Sequence, residues 1–261
     1  MPDDPTYVIE TEDLSVGYGE RVIQRGLNIR IARGEIFVLL GGSGCGKSTV
    51  MRTLSGLVPP LAGRVRLLGE VFAEAGRERE ENPSLLRHLG VMFQNGALFG
   101  SKTLLENCAL PQQTLTDRTP EEIGRISREK LRDVGLLEFV DFLPGQISGG
   151  MQKRAAIARA LTLDPDVLFL DEPSAGLDPV TSAELDELIL RIRDERGTTI
   201  VLVSHELASI YAIADRAVFL DRKTRTVLDA GAPAFLRDNS PHPAVRAFFN
   251  RTPERKPQAN A

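Results

Sequence analysis

The sequence is poor in cysteine and lacks any long apolar run, and both shortages narrow what the protein can be. Two cysteines, Cys45 and Cys108, are too few for a disulfide framework, which favours a reducing compartment. No stretch approaches the roughly 18 apolar residues that a membrane-spanning helix needs. The first residues, Met1 to Asp4, lack a basic region followed by an apolar one, so no signal peptide is expected. Any association with a membrane is therefore expected to come through a partner.

The net charge of the chain is small and negative. A formal net charge of −4 and a pI near 5.6 argue against a nucleic-acid-binding domain, so no nucleic-acid partner is expected. At 261 residues the chain can bury a large core as one α/β domain that carries a helical insertion. No internal repeat is visible.

The most informative stretch is a glycine-rich run that fits the pattern Gly-x-x-x-x-Gly-Lys-Ser. It follows the apolar run Ile36–Leu40 and precedes a helical pattern from Lys47 to Leu57, which is the setting of a phosphate-binding loop. Glycines let successive backbone N–H groups converge on phosphate oxygens, and a helix N-terminus adds partial positive charge. We therefore predict a bound nucleoside triphosphate, with Lys47 at the β- and γ-phosphates and Ser48 on Mg²⁺. The residues expected to line it are Gly41, Gly42, Ser43, Gly44, Cys45, Gly46, Lys47, Ser48 and Thr49.

Two carboxylates follow a second apolar run. Val167 to Leu170 reads as a strand buried on both faces of a parallel sheet, and Asp171 and Glu172 come at its end. Ligand chemistry in such sheets gathers at the carboxyl ends of the strands. We expect Asp171 to hold Mg²⁺ through water and Glu172 to deprotonate the attacking water.

A capped helix gives a second candidate anion site. Ser148 is a good N-cap, Gly149 and Gly150 open the helix, and apolar residues then recur at helical spacing. One phosphate loop does not need two such sites on the same phosphate, so we expect this element to serve a nucleotide bound mainly by another copy of the chain. An ordinary capped helix is the alternative.

With these motifs together, the chain resembles the ATPase subunit of an ABC transporter over roughly residues 6 to 240. Ser148–Gly150 match the signature motif of that family, and Ala175–Asp178 match its D-loop. His205 matches the switch histidine after the apolar run 199–203, and Gln94 matches the Q-loop glutamine. Tyr18 matches the aromatic residue that stacks on adenine.

The resemblance implies a mechanism and a set of site residues. Two chains are expected to sandwich two ATP molecules, with Lys47, Gln94 and His205 of one chain and Ser148 of the other at each γ-phosphate. Gln94 is expected to join Ser48 and Asp171 as a ligand of Mg²⁺, and Asp178 to lie at the nucleotide. A membrane permease is expected to contact the groove beside Gln94.

The resemblance also implies an α/β fold: a P-loop NTPase core with an antiparallel β subdomain and an inserted helical subdomain at about 95–162. Residues 6–31 read as an antiparallel strand pair, and Thr119–Glu122 is a capping box that opens a helix to about Val134. The mixed charges of Arg77–Glu81 favour a solvated connection. Residues 241–261 are expected to form an extension, with a helix followed by a disordered tail after Arg251.

Three local features are similar to the Mla (Mce-type) phospholipid-trafficking ATPases: the segment Phe93–Phe99, Met151 in the signature, and the segment Pro243–Phe249. This resemblance implies a subunit on the cytoplasmic face of the inner membrane, bound to a permease, a STAS-domain subunit and a periplasmic Mce-domain protein. Val245, Phe248 and Phe249 share a helical face that could dock on a partner or on the chain's own domain.

Two other functions stay open. An ABC importer ATPase for a polar solute such as an amino acid usually carries glutamine at the position of Met151. A soluble, non-transport ABC protein that acts on ribosomes or DNA commonly has two ATPase halves or long coiled-coil insertions, and this sequence shows neither.

Overall fold

The structure, a computed structural model, describes residues 6–77 and 83–252, which form two sheets and the helices around them. The strands are β1 (Tyr7–Tyr18), β2 (Arg21–Leu27), β3 (Arg30–Ala32), β4 (Ile36–Leu40), β5 (Ala62–Leu67), β6 (Glu70–Glu74), β7 (Leu89–Met92), β8 (Val167–Asp171), β9 (Thr199–Val203), β10 (Arg216–Leu220) and β11 (Val227–Gly231). The α-helices are α1 (Lys47–Leu54), α2 (Pro83–Leu86), α3 (Leu104–Leu115), α4 (Pro120–Asp133), α5 (Gly149–Ala160), α6 (Pro179–Arg196), α7 (Leu207–Ile213), α8 (Pro233–Asn239) and α9 (Pro243–Phe249). This mixture of strands and helices confirms the predicted α/β fold.

The first sheet is antiparallel and has the order β2-β1-β5-β6, with β3 paired to β1. Its β1–β2 hairpin confirms the strand pair predicted for residues 6–31, and Tyr18 pairs with Arg21 across the turn. Strand β3 within that range was not predicted, because three residues are too few to show an alternating pattern.

The second sheet has the order β11-β10-β4-β9-β8-β7 and is parallel except for its edge strand β11. Strands β4, β9, β8 and β7 are neighbours, so their carboxyl ends lie side by side at one edge. Each of these four ends leads into one of the predicted motifs. Neighbouring strands, although distant in sequence, thus assemble the candidate site.

Both faces of the central sheet are covered, which explains why its strands are almost continuously apolar. In β4, Ile36, Val38 and Leu40 pack into the core formed with the helices. Phe37 and Leu39 point the other way, into the core shared with the antiparallel sheet and α1. All five residues are fully buried.

The helices between β7 and β8 begin with the predicted signals. Helix α4 has a capping box between Thr119 and Glu122 and ends at Asp133, as the sequence predicted. Helix α3 has a second capping box, between Thr103 and Glu106. Two short 3₁₀ turns, Leu137–Phe139 and Pro144–Gln146, connect α4 to α5.

None of the helices in residues 6–77 and 83–252 combines the length and apolarity needed to cross a bilayer. The charge run after Arg77 and the tail from residue 253 onward, for which a solvated connection and disorder were predicted, lie outside the described residues.

Candidate nucleotide-hydrolysis site

The predicted phosphate loop joins β4 to α1, and close backbone contacts require two of its glycines. Gly41 has φ +143°, and a Cβ there would lie 2.3 Å from the carbonyl oxygen of Leu220. Gly46 has φ +105° at the start of α1, and its Cβ would lie 2.4 Å from Cγ2 of Ile23. Residues of β2 and β10 therefore lie in close contact with the loop and leave no room for a side chain at Gly41 or Gly46. A Cβ on Gly42 would meet nothing within 4 Å, so a side chain is sterically tolerated there.

A buried glutamine supports the same loop. Nε2 of Gln24 donates to the carbonyl oxygens of Cys45 at 2.7 Å and of Asp221 at 2.9 Å. Its Oε1 is buried and has no hydrogen-bond partner, a cost that the two donated bonds must offset. Sequence reasoning missed Gln24, because a polar residue in a strand more often lies on an exposed face.

Lys47 and Ser48 occupy the first turn of α1, as predicted, although the helix ends at Leu54 rather than Leu57. Nζ of Lys47 donates to the carbonyl oxygen of Gly41 at 2.9 Å, so the ammonium lies over its own loop. Helix α1 ends early because Gly56 takes a left-handed φ of +74°, which a continuing helix cannot accept.

Ser48 and Asp171 are brought together from separate elements. Oγ of Ser48 donates to Oδ1 of Asp171 at 3.3 Å. Burial raises the pKa of Asp171, and the hydrogen bond from Ser48 acts in the opposite direction. A hydroxyl and a carboxylate are hard oxygen donors of the kind that Mg²⁺ prefers when waters and phosphate oxygens complete its shell, so this pair fits the predicted metal. No cluster of three or more His, Cys, Asp or Glu residues suited to a metal ion occurs in the described chain.

Cys45 differs from its expected behaviour. The sequence places Cys45 among the residues expected to line the bound nucleotide. In the structure Cys45 is 1% exposed and packs in the core below the loop. Burial raises the pKa of the thiol, which leaves less of the reactive thiolate. Cys45 therefore contributes apolar packing and a backbone amide, and its side chain does not face the nucleotide.

Glu172 has an unusual backbone. Its φ is +50°, in the left-handed region, which costs free energy for a residue with a side chain and which in other proteins clusters at functional sites. Its N–H donates to the carbonyl oxygen of Val203 at 2.8 Å, and the residue is 9% exposed. This turn directs the carboxylate away from the line of β8, beside Asp171.

His205 follows β9 and reaches the same carboxylate. Its Nδ1 lies 2.8 Å from Oε2 of Glu172, and its Nε2 lies 3.6 Å from Glu206. Within the described residues Oε2 is buried and accepts no hydrogen bond, although Nδ1 of this imidazole lies within ion-pair distance of it. The side chain of His205 is 57% exposed, whereas that of Glu172 is 12% exposed. An accessible imidazole thus lies beside a largely buried carboxylate.

The predicted signature element begins α5. Oγ of Ser148 accepts a hydrogen bond from the N–H of Met151 at 3.3 Å, which confirms the N-cap. Ser148 and Gly149 are exposed, whereas Gly150 is buried against Thr181 of α6. Within the described part of the chain no hydrogen bond joins Ser148 to the phosphate loop.

Three further residues were predicted for the site: Asp178, Gln94 and Tyr18. Asp178 caps α6 by accepting from the N–H groups of Val180 and Thr181, and its contact with the nucleotide stays a prediction. Gln94 lies in an exposed turn after β7, and its carbonyl oxygen accepts a hydrogen bond from Lys153. Tyr18 is 47% exposed at the end of β1, as a stacking platform requires.

The C-terminal helical face packs on the chain's own domain, which is the alternative that the sequence left open. Val245 is fully buried and Phe249 is 4% exposed, both within the core that contains β4 and β10. The ring of Phe248 meets Phe219 edge-on with the centroids 5.4 Å apart. Of the two alternatives, the structure therefore favours packing on the chain's own domain.

Comparison with known proteins agrees with this geometry. The family model described as "ABC transporter" matches residues 24–175. The chain is 40% identical over 243 residues to the "Probable ribonucleotide transport ATP-binding protein mkl" of Mycobacterium leprae, a match that covers 93% of this chain and 68% of that protein. It is 33% identical to the "Intermembrane phospholipid transport system ATP-binding protein MlaF" of Escherichia coli, which covers 93% of this chain and 88% of that protein.

Two more similarities bear on function. The "L-cystine transport system ATP-binding protein TcyN" of Escherichia coli is also 33% identical, over 93% of this chain and 97% of its own length. Among solved structures, a dimer of the ATP-binding cassette MJ0796 with ADP and Pi superposes with a TM-score of 0.76 at 28% identity, over 86% of this chain and 98% of that one. Sequence match, fold and the assembly of the motifs agree, and the chain belongs to the ABC transporter family as an ATP-binding subunit.

Proposed function

We propose that the protein hydrolyses ATP between two copies of itself and thereby drives a membrane permease that moves phospholipid between the inner and outer membranes. The observation that carries the hydrolytic part is the largely buried carboxylate of Glu172, which follows Asp171 of the Ser48–Asp171 pair and has Nδ1 of His205 2.8 Å from its Oε2. Within the described residues Oε2 accepts no hydrogen bond, so it can accept one from an attacking water.

The chemistry proposed for the site is phosphoryl transfer to water. The amides of the phosphate loop and Lys47 bind the β- and γ-phosphates, and Mg²⁺ held by Ser48 and Asp171 neutralises their charge when bound. Glu172 takes a proton from water as the water oxygen bonds to the γ-phosphorus and the bond to ADP breaks. His205, which lies beside Glu172 and is accessible, hydrogen-bonds the γ-phosphate oxygens. Gln94 is expected to complete the metal ligands, although its side chain is exposed here.

A second copy is proposed to complete each site. Ser148 and Gly149 lie exposed at the start of α5, where amide N–H groups and the helix dipole favour an anion. The dimeric MJ0796 cassette with ADP and Pi supports this arrangement by its similarity. Tyr18 is proposed to stack on adenine, and the nucleotide would then contact both subunits.

Three features favour phospholipid as the transported substrate. Met151 stands where the signature of the polar-solute importers usually has glutamine, and the segments 93–99 and 243–249 are similar to those of the Mla-type ATPases. The similarity to MlaF supports the same choice. Under this proposal the protein lies peripherally on the cytoplasmic face of the inner membrane, with the permease, a STAS-domain subunit and an Mce-domain protein as partners.

The second candidate is an importer ATPase for a polar solute. TcyN is as similar to this chain as MlaF is, and the name of the mycobacterial relative refers to ribonucleotide. Affinity purification from detergent-solubilised membranes separates the candidates. A permease with tightly bound phospholipid supports lipid transport, whereas a solute-binding protein and a loss of cystine or nucleotide uptake in a deletion strain would overturn it.

A further inference from the structure

Lys153 lies on α5 and contacts two separate parts of the site. Its Nζ donates to the main-chain carbonyl oxygen of Gln94 and, at 3.4 Å, to that of Glu172. An ammonium group has three N–H donors and can serve both carbonyls at once. Lys153 thus connects the helix capped by Ser148 to the segment that follows β7 and to the end of β8.

The same helix holds the rest of the segment after β7. Arg159 donates to the carbonyl oxygens of Gly96 at 2.8 Å and Ala97 at 2.6 Å. Gly96, at φ +71°, lies so close to α5 that a Cβ would be 3.4 Å from the methyl group of Ala156. Residues 94–97 are therefore fixed to α5 through their main chain, which leaves the Gln94 side chain free to reach a ligand.

At the end of β8 the contact acts on a strained residue. The left-handed Glu172 is held at its N–H by Val203, at 2.8 Å, and at its carbonyl oxygen by the N–H of Ala175, at 3.2 Å, together with Lys153. A conformation of this kind persists only where its surroundings hold it in place. The direction of the Glu172 carboxylate therefore depends on a side chain of α5.

The contact of Lys153 with the two carbonyl oxygens also carries a desolvation cost. Lys153 is half-buried, and burial lowers the pKa of its ammonium group, against the opposing attraction of the Asp171 and Glu172 carboxylates. A buried cation costs free energy that an apolar side chain of similar length does not. Arg154, the next residue, is also a cation of α5, but it donates to the carbonyl oxygen of Val134, away from the site.

We infer that Lys153 is a positioning residue for ATP hydrolysis: it ties the main chain of Gln94 to that of Glu172, so that α5, the segment 94–97 and the catalytic base move together. A partner that displaces the segment 94–97 then also displaces the base. This inference rests on the proposed role of Glu172.

The test compares Lys153→Met with the wild type in steady-state hydrolysis and in equilibrium binding of ATP. Methionine retains most of the length but donates no hydrogen bond, so Glu172 and Gln94 lose their common anchor. Because a displacement of about 1 Å can cost roughly 10²-fold, we expect kcat to fall about 10- to 100-fold. The KM and the Kd for ATP should stay close to wild type, because among the described residues the hydrogen bonds of Lys153 go to Gln94 and Glu172 and not to the phosphate loop.

Two variants control for a loss of structure. Lys153→Arg retains a cation with several donors and should restore most of the lost kcat. Arg154→Met removes a cation from the same helix and should lower the melting temperature by a similar amount without lowering kcat. A Lys153→Met protein with wild-type kcat, or one whose kcat falls only in proportion to its ATP binding, overturns the inference.

Glu172→Gln, measured in parallel, separates this inference from the proposed function. If Glu172→Gln still turns over ATP, the assignment of the base is wrong. If Glu172→Gln is inactive while Lys153→Met is normal, the base stands and only the positioning role fails.

Discussion

Glu172 occupies a left-handed backbone conformation at the end of a fully buried strand, so its side chain leaves β8 in a direction that an extended residue cannot take. Asp171, one residue earlier, keeps the strand geometry and faces Ser48. The change of backbone region between these neighbours keeps both carboxylates at one site, whereas simple alternation would have placed them on opposite faces of the sheet. One carboxylate can then serve the metal while the other serves the water.

Replacing Glu172 with glutamine tests the role of the base. The amide keeps the shape of the side chain but accepts no proton, so we expect hydrolysis to fall by roughly 10²- to 10⁴-fold. ATP binding should persist, because Lys47 and the loop amides are unchanged, and an ATP-bound dimer should accumulate. Phosphate release and size-exclusion chromatography with ATP measure these two effects.

Glu206→Gln is the matched control. Glu206 lies 3.6 Å from the other nitrogen of His205, but its side chain is 49% exposed. Turnover in this variant should stay close to the wild-type rate. Near-normal turnover in Glu172→Gln, or an equal loss in both variants, would refute the assignment of the base to Glu172.

The thiols of Cys45 and Cys108 should be unreactive in the native protein. Burial raises the pKa of Cys45, and it raises the pKa of Cys108 to about 12, so neither forms much thiolate at pH 8. We expect no rapid reaction with Ellman's reagent with or without ATP, and two reactive thiols in guanidinium chloride. A fast-reacting native thiol that ATP protects would show that Cys45 faces the nucleotide after all.

At the scale of the element, the segment after Gln94 exposes the aromatic ring of Phe99 on a backbone that hydrogen bonds hold in place. Phe99 is 55% exposed, whereas Leu98 packs partly against the core, so Phe99 is the sharper probe of a docked permease. The buried Asn107 holds the main chain of Phe99 by accepting from its N–H at 2.8 Å and donating to its carbonyl at 3.2 Å. The ring is thus exposed on a fixed backbone, which favours a binding surface.

Phe99→Asp should therefore uncouple the protein from its permease. A charge at that contact would be buried without a partner, which costs several kcal/mol. Basal hydrolysis and ATP binding should be retained, while the permease should no longer co-purify and cells should become sensitive to detergent. Phe235→Asp is the control, because Phe235 on α8 is equally exposed at 54%. Normal co-purification in Phe99→Asp would rule out this contact.

Helix α9 should contribute to the stability of the domain. Phe249 is 4% exposed, and its ring lies 5.9 Å from that of Tyr211 and 5.5 Å from that of Phe248. Phe249→Ala should lower the free energy of unfolding by about 3–5 kcal/mol in chemical denaturation of the isolated protein. Unchanged stability with the loss of a co-purifying subunit would instead assign this face to a partner.

The sequence predicted those parts of the structure whose cause is local. The buried strands β4, β8 and β9, the capping box of α4 and the Ser148 cap all depend on residues adjacent in the chain. Gln24, Lys153 and Arg159 were not predicted, because each binds main-chain carbonyls of a distant segment and leaves no spacing pattern. The face of α9 could not be assigned either, since an apolar stripe looks the same whether a partner or the domain covers it.

At the scale of the whole molecule, the exposed signature element and the phosphate loop should function only across two copies. Lys47→Ala removes the phosphate contact and Ser148→Arg blocks the signature element, so each variant alone should be inactive. A mixed dimer pairs the intact loop of the Ser148→Arg chain with the intact signature of the Lys47→Ala chain. Co-expression with two affinity tags should therefore restore hydrolysis above either parent, and no restoration would indicate a site formed within one chain.

The order of strands in the central sheet has a consequence for synthesis on the ribosome. Strand β4 lies between β9 and β10, and its Leu39 pairs with Val203 on one side and Val218 on the other. A nascent chain that has emerged only as far as Glu172 carries the glycine loop and both carboxylates, yet both neighbours of β4 are still missing. Such non-local pairing closes late. We therefore expect nucleotide to stabilise the nascent chain only after β9 and β10 have been translated and have paired with β4.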